Sequence, residues 1–384
     1  MALGMVKEAG ADRSTHEGLP DLLAGRYPPV MRGRGRSLIS YVGAAAGLLA
    51  AACVGDDPVI RSSPPPDAGP DVSDAPDSSA DAETGGLERC TRPCDVAKGQ
   101  SQPYGIAVDD THVYWSNRSV PGTILRRSKS SESIETLASG QDAPTGIALS
   151  TGYIYWLTTD PPRVSRRALS NPVIETTPAA VARPQRIAVT NARVFYTGEA
   201  DAGDETRRGL HSLSDAINEP RILDDSVAAR ALAVDPAGKR TYYARFDSEA
   251  GELRVIDDDG MILRQAGINE NVVDWRSLYA IAVGTDDVYW TSADGVFRQS
   301  KAAFGTAAFA VAVSEVTDAR GIVFDGARKH AYFVTTNGSV YRVRGNEVDS
   351  IGQSDCQAEL LAQDEQSLYW TCGSVGTVKK MAKP

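Results

Sequence analysis

Histidine is scarce: the 384 residues hold four, His16, His112, His211 and His330. No HExxH, GxSxG or phosphate-binding glycine loop occurs, which removes the commonest zinc-protease, serine-hydrolase and nucleotide-binding signatures. Basic charge is also short. Lys and Arg number 40 against 50 Asp and Glu, a formal net charge of −10, so the chain lacks the electrostatic footprint of a nucleic-acid binder. No apolar run reaches the roughly 20 residues of a membrane-spanning helix; the run at 38–52 has 15. Apolar spacing of three and four, the mark of a helical solenoid, is missing from the repeated part of the sequence.

The acidic charge is unevenly spread. Residues 54–87 carry eight carboxylates against one base, Arg61, while residues 1–53 are slightly basic. The stretch SSPPPDAGPDVSDAPDSSADAETGG has almost no large apolar side chain to offset the entropy of ordering, so 53–88 is expected to be a disordered, charge-extended tether. Just before it, MRGRGRSLISYVGAAAGLLAAAC at 31–53 places three arginines, a short apolar run and small residues in order. That is the layout of a secretory signal. Residues 1–30 precede it without a clear period, and a start at Met31 is expected, a long n-region being the alternative. The ending LAAAC at 49–53 resembles the lipobox of bacterial lipoproteins. The resemblance implies that 31–52 are removed and that Cys53 carries lipid as the new N-terminus; a plain cleaved signal is the alternative. With Val54 next, lipoprotein sorting rules imply the outer membrane of a two-membrane bacterium.

From residue 89 to 384 one pattern recurs seven times. HVYWSN, YIYWLT, RVFYTG, RTYYAR, DVYWTS, HAYFVT and SLYWTC each hold two adjacent aromatics. Ile106-Ala107-Val108 stands nine residues before Trp115, and equivalent apolar runs precede the other pairs. Turn residues such as DDT, DPAGK and DGARK lie between, which predicts a β-hairpin. A third run follows each pair (GTILRR, PRVSRR, GSVYRV and their equivalents) and in most repeats a weaker fourth. Four short strands at a period of 37–47 residues predict the blades of a single all-β propeller. Adjacent strand residues point to opposite sheet faces, so each aromatic pair is expected to fill the wedge on both sides of its blade. A base- or sugar-stacking platform is the other use of such a row.

These residues resemble the YWTD-type β-propellers of lipoprotein receptors and the similar repeats of bacterial envelope lipoproteins, most clearly at Tyr289-Trp290-Thr291 and Tyr369-Trp370-Thr371 with their upstream apolar runs. The motif's final Asp is absent, with Asn117, Ser292 and Cys372 in its place. Receptor propellers of this type have six blades, whereas the repeat count predicts seven. The last repeat supplies three strands. CDVAKGQSQPYGIAV aligns with TLASGQDAPTGIAL one repeat later, so residues 95–98 are expected to close the final blade as its outer strand.

Cysteine usage fits export. Besides Cys53 there are Cys90, Cys94, Cys356 and Cys372, and three pairings are possible. The strand order favours Cys356–Cys372 and Cys90–Cys94; a zinc site, with no histidine nearby, is the alternative. No other metal site and no cofactor is expected, since DDDG at 257–260 and the Asp pairs at 109–110 and 286–287 read as turns.

One ring of residues is the candidate ligand site. Two positions before each inner-strand Ile or Leu the chain is expected to meet the mouth of the central channel, at Tyr104, Thr145, Gln185, Arg230, Tyr279, Arg320 and Glu359. Two arginines, two tyrosines and a carboxylate suit a polar or anionic ligand, a bare solvated rim being the alternative. The reading at this stage is a monomeric, lipid-anchored binding or scaffold module without catalytic activity, its partner a protein, a peptide or an anionic ligand. A metal-dependent lactonase- or lyase-type propeller enzyme acting at the channel mouth is the alternative.

Overall fold

The aromatic pairs build the core. All fourteen are buried, and consecutive members lie in different clusters. Tyr114 packs with Trp156 of the next repeat, whereas Trp115 packs with Tyr369 of the last. The same handover joins Tyr155 to Tyr196, Phe195 to Tyr243, Tyr242 to Trp290, Tyr289 to Phe333, and Tyr332 to Trp370. Seven clusters thus form seven wedges between seven sheets. Each aromatic removes roughly 150–250 Å² from water, a gross gain of about 4–6 kcal/mol before entropy.

The computed structural model describes residues 86–190, 193–199, 207–225, 228–235, 237, 239–246, 251–267, 278–305, 310–313, 316–345 and 347–384. The expected signal segment 31–52, Cys53 and the acidic stretch up to residue 85 lie outside them. The sheets are seven four-stranded antiparallel blades, the seven of the repeat count and not six. Their inner strands are Pro103–Val108, Pro144–Ser150, Arg183–Val189, Ala228–Asp235, Ala280–Val283, Ala319–Asp325 and Leu361–Gln363, for blades 1 to 7 in turn. The aromatic pair lies on the second strand of each blade, as in His112–Asn117 and Ser367–Cys372. Where the indole of Trp115 or Trp156 is buried, its N–H donates to Gln100 Oε1 (2.9 Å) or Gln141 Oε1 (2.8 Å). The shared Gly-Gln of the two aligned segments therefore has a physical role: it satisfies a buried donor.

Closure joins the two ends of the propeller. Cys94–Ala97 pairs antiparallel with Thr377–Ala382 as the outer strand of blade 7, one residue earlier than the sequence alignment places it. Lys379 reaches Asp95 (2.9 Å) and Asp355 (2.8 Å), and the Ala382 amide donates to the Cys90 carbonyl at 2.7 Å. Disulfides join Cys90 to Cys94, the first residue of this strand, and Cys356 to Cys372 within blade 7. Beyond it, buried Lys383 bonds Asp325 of blade 6 at 2.7 Å.

Candidate channel-mouth site

Each inner strand enters its blade at the same end of the molecule. A bulge interrupts pairing near that entry in blades 1, 2, 3, 4 and 6, turning the residue before the paired run out of the ladder. A hydroxyl on the preceding blade holds this backbone in place. Ser116, one residue past its aromatic pair, donates to the Thr145 carbonyl at 2.7 Å. Thr197 does so to Arg230 (3.3 Å), Thr291 to Arg320 (2.5 Å) and Thr371 to Tyr104 (2.7 Å). The hydroxyl of the Tyr-Trp-Thr motif is thus a strut between a wedge and the next blade's rim. Gly105 belongs to the same close packing: a Cβ there would lie 2.4 Å from the Thr145 carbonyl.

Six of the seven rim residues come together. Tyr104, Gln185, Arg230, Tyr279, Arg320 and Glu359 line one cavity of about 180 Å³. Thr145 does not join them; it is buried, its hydroxyl donating to the Pro184 carbonyl at 3.1 Å. Three residues that the rim rule misses complete the cavity, Arg186, Glu199 and the apolar Leu278. Arg186 crosses the channel from blade 3. Its Nη1 donates to Tyr104 Oη of blade 1 (2.8 Å), and its Nη2 to the Tyr279 carbonyl at the entry to blade 5 (3.2 Å). It also lines the compartment below, about 150 Å³, ringed by Ile106, Ile147, Ile187, Ile281 and Ile322. The sequence does carry a signal for it. Immediately before the inner Ile or Leu stand Gly105, Gly146, Arg186, Ala231, Ala280, Gly321 and Leu360, and the arginine is the one polar residue in that column.

Glu199 lies three residues past Tyr196, on a second tier that also includes Arg118, Phe246 and Gly373. It bonds Arg230 and lies 3.5 Å from Arg183. The guanidinium of Arg230 stacks at 4.8 Å on Phe246. Arg320 differs: it lies 3.7 Å over the Tyr279 ring, and its buried Nε has no hydrogen-bond partner among the described residues. A second, wider cavity of about 480 Å³ opens beside the first, lined by Gln102, Pro103, Tyr104, Arg118, Glu359, Gly373 and Ser374. Tyr104 and Glu359 are common to both, and Arg118 stacks at 4.9 Å on Tyr104.

The histidines lie elsewhere. His112 and His330 begin the second strands of blades 1 and 6, at the end opposite the rim. His211 is buried on Tyr196, and burial pushes its imidazole below the usual range. Among the described residues, no cluster of three or more His, Cys, Asp or Glu side chains is placed to hold a metal ion.

No protein-family model and no curated protein sequence matches the chain. Solved structures do share its fold. Virginiamycin B lyase from Staphylococcus aureus superimposes with a TM-score of 0.62 at 12% identity, over 76% of this chain and 99% of the lyase. The β-propeller domain of Cps50 (Swd1) from Myceliophteria thermophila gives 0.59 at 9% identity, over 77% and 100%. A gluconolactonase from Xanthomonas campestris gives 0.51 at 12% identity, over 76% and 89%. At such identities the likeness is one of fold alone.

Proposed function

We propose that the protein is a binding module of the bacterial cell envelope, held to the membrane by lipid on Cys53, which takes an anionic ligand at the mouth of the propeller channel. The observation that carries the reading is the charge of the mouth. Arg186, Arg230 and Arg320 converge on one small cavity, and among the described residues Arg186 is hydrogen-bonded there to the neutral Tyr104 hydroxyl and Tyr279 carbonyl. Such guanidinium groups are strong, oriented donors for carboxylate or phosphate. The secretory signal, the lipobox-like LAAAC and the acidic stretch behind it support the envelope address, with the outer membrane favoured by Val54.

The alternative, a metal-dependent lactonase or lyase working at the same mouth, draws on the shared fold of two propeller enzymes. It calls for several converging carboxylates. Glu199 and Glu359 are the carboxylates lining the cavity, and Glu199 is engaged by arginines. The donor set therefore favours binding of an anion over binding of a cation.

Two measurements test the two halves of the reading. Cys53→Ala is expected to move the protein from membrane to soluble fractions; retention of an unprocessed form at the membrane overturns lipid anchoring. For the mouth, acidic sugars, peptides and phosphorylated metabolites are screened by thermal shift against wild type and Arg230→Ala/Arg320→Ala. Each arginine is expected to contribute about 1.5–3 kcal/mol to binding, roughly 10- to 150-fold in affinity, with the ligand-free melting temperature nearly unchanged. If no compound separates the two proteins, the mouth is not the binding site.

A further inference from the structure

The axial cavity holds two opposite charges that do not meet. Arg320 enters from blade 6 and Glu359 from blade 7, its neighbour in the ring, and both line the same cavity. No ion pair joins them, and among the described residues neither has an oppositely charged partner elsewhere. Arg320 is held away by stacking on Tyr279 at 3.7 Å and by the strut from Thr291 to its carbonyl. Glu359 is fixed at its backbone, where its amide donates to the Thr371 carbonyl at 3.1 Å, while its side chain faces both the axial cavity and the wider groove. A carboxylate accepts hydrogen bonds and donates none when ionised, and a guanidinium only donates. A ligand that satisfied Arg320 alone would bring an anion towards Glu359, and like charges in a shared pocket repel.

We infer that the ligand is a zwitterion of the amino-acid type: an acid group for Arg320 and Arg186, with a cationic amine a few bonds away for Glu359 and the rest of the molecule lying in the groove beside Tyr104. The inference rests on the anion-binding reading of the mouth and narrows it. The groove supports it, because it shares Glu359 and Tyr104 with the axial cavity and adds Arg118 and Ser374 to the lining. Tyr104 lines both cavities and carries Arg118 and Arg186 at 4.9 and 5.7 Å from its ring, guanidinium donors for a second acid group of the ligand.

Glutarate and L-glutamate make the test, because they share two carboxylates and differ by one ammonium group, so that contributions from Arg118 cancel. Affinities are measured by calorimetry on the purified full-length protein. Wild type is expected to bind L-glutamate at least tenfold more tightly than glutarate. Glu359→Gln brings the ratio near one by weakening glutamate while leaving glutarate equal or tighter, whereas Arg320→Gln weakens both at least tenfold. Thermal denaturation without ligand, unchanged in both variants, shows that the fold is intact. A wild-type ratio near one, or a ratio that survives Glu359→Gln, overturns the zwitterion inference while leaving anion binding standing. If neither compound binds, the inference falls together with the reading it rests on.

Discussion

Asp325 shows how a single buried carboxylate fastens the propeller. Burial by itself raises its pKa, but bonds from Lys383 and from the Arg328 backbone and side chain outweigh this and hold it at about 2. The native value lies below that of an unfolded Asp, so the pair stabilises the protein above about pH 4 and loses that contribution as pH falls towards 2. Asp325→Asn is expected to destabilise the protein by about 2–3 kcal/mol near neutrality, with the difference from wild type shrinking between about pH 4 and 2. Urea titrations across that range check it; a difference independent of pH assigns Asp325 a packing role only. At the same scale, the rim was legible in the sequence as far as the repeats were in register. Six of its seven positions meet in the cavity because the repeats share a backbone. Thr145 is short enough to turn inward onto Pro184. Arg186 and Glu199 escape the rule because they reach the mouth from other columns, Arg186 by its length across the axis and Glu199 from the far end of the second strand.

At the scale of the strand, the alternation of faces made the fold readable. Two adjacent aromatics can both be buried only if both faces of their sheet are covered, and seven such pairs define seven covered sheets. The outer strands were harder to read, since Ile134, Ile174 and Ile222 on them are exposed and their polar sequences carry little period. The closing strand was found by alignment, not by hydrophobicity. Its two inward residues, Val96 and Ala97, are fully or nearly buried against blade 7 and Trp115. Deleting residues 94–100 is therefore expected to lower the melting temperature sharply and expose the edge of Thr377–Ala382, while deleting seven residues within 60–80 leaves it unchanged. Equal effects from the two deletions would mean that the strand contributes no closure.

Among the described residues, the propeller is a closed set of nearest-neighbour contacts between blades. An open array of repeats can fray from its termini, but here the last blade is shared between the first and last strands of the propeller. Unfolding is expected to be a single transition, with backbone circular dichroism and tryptophan fluorescence coinciding in denaturant, because Trp115, Trp156, Trp290 and Trp370 sit in four different wedges. Separate transitions by the two probes would show that blades melt independently.

The shared blade also sets an order in time. Asp95 is among the first propeller residues to be made and its partner Lys379 among the last, 284 residues later. At the usual 5–20 residues per second of synthesis, that interval is about 14–60 s. Through it the first strand has no companion, and every later blade is laid down against a wedge whose far side stays open. Until then the propeller is an unfinished arc, and its last strand, not its bulk, decides when it becomes a closed body.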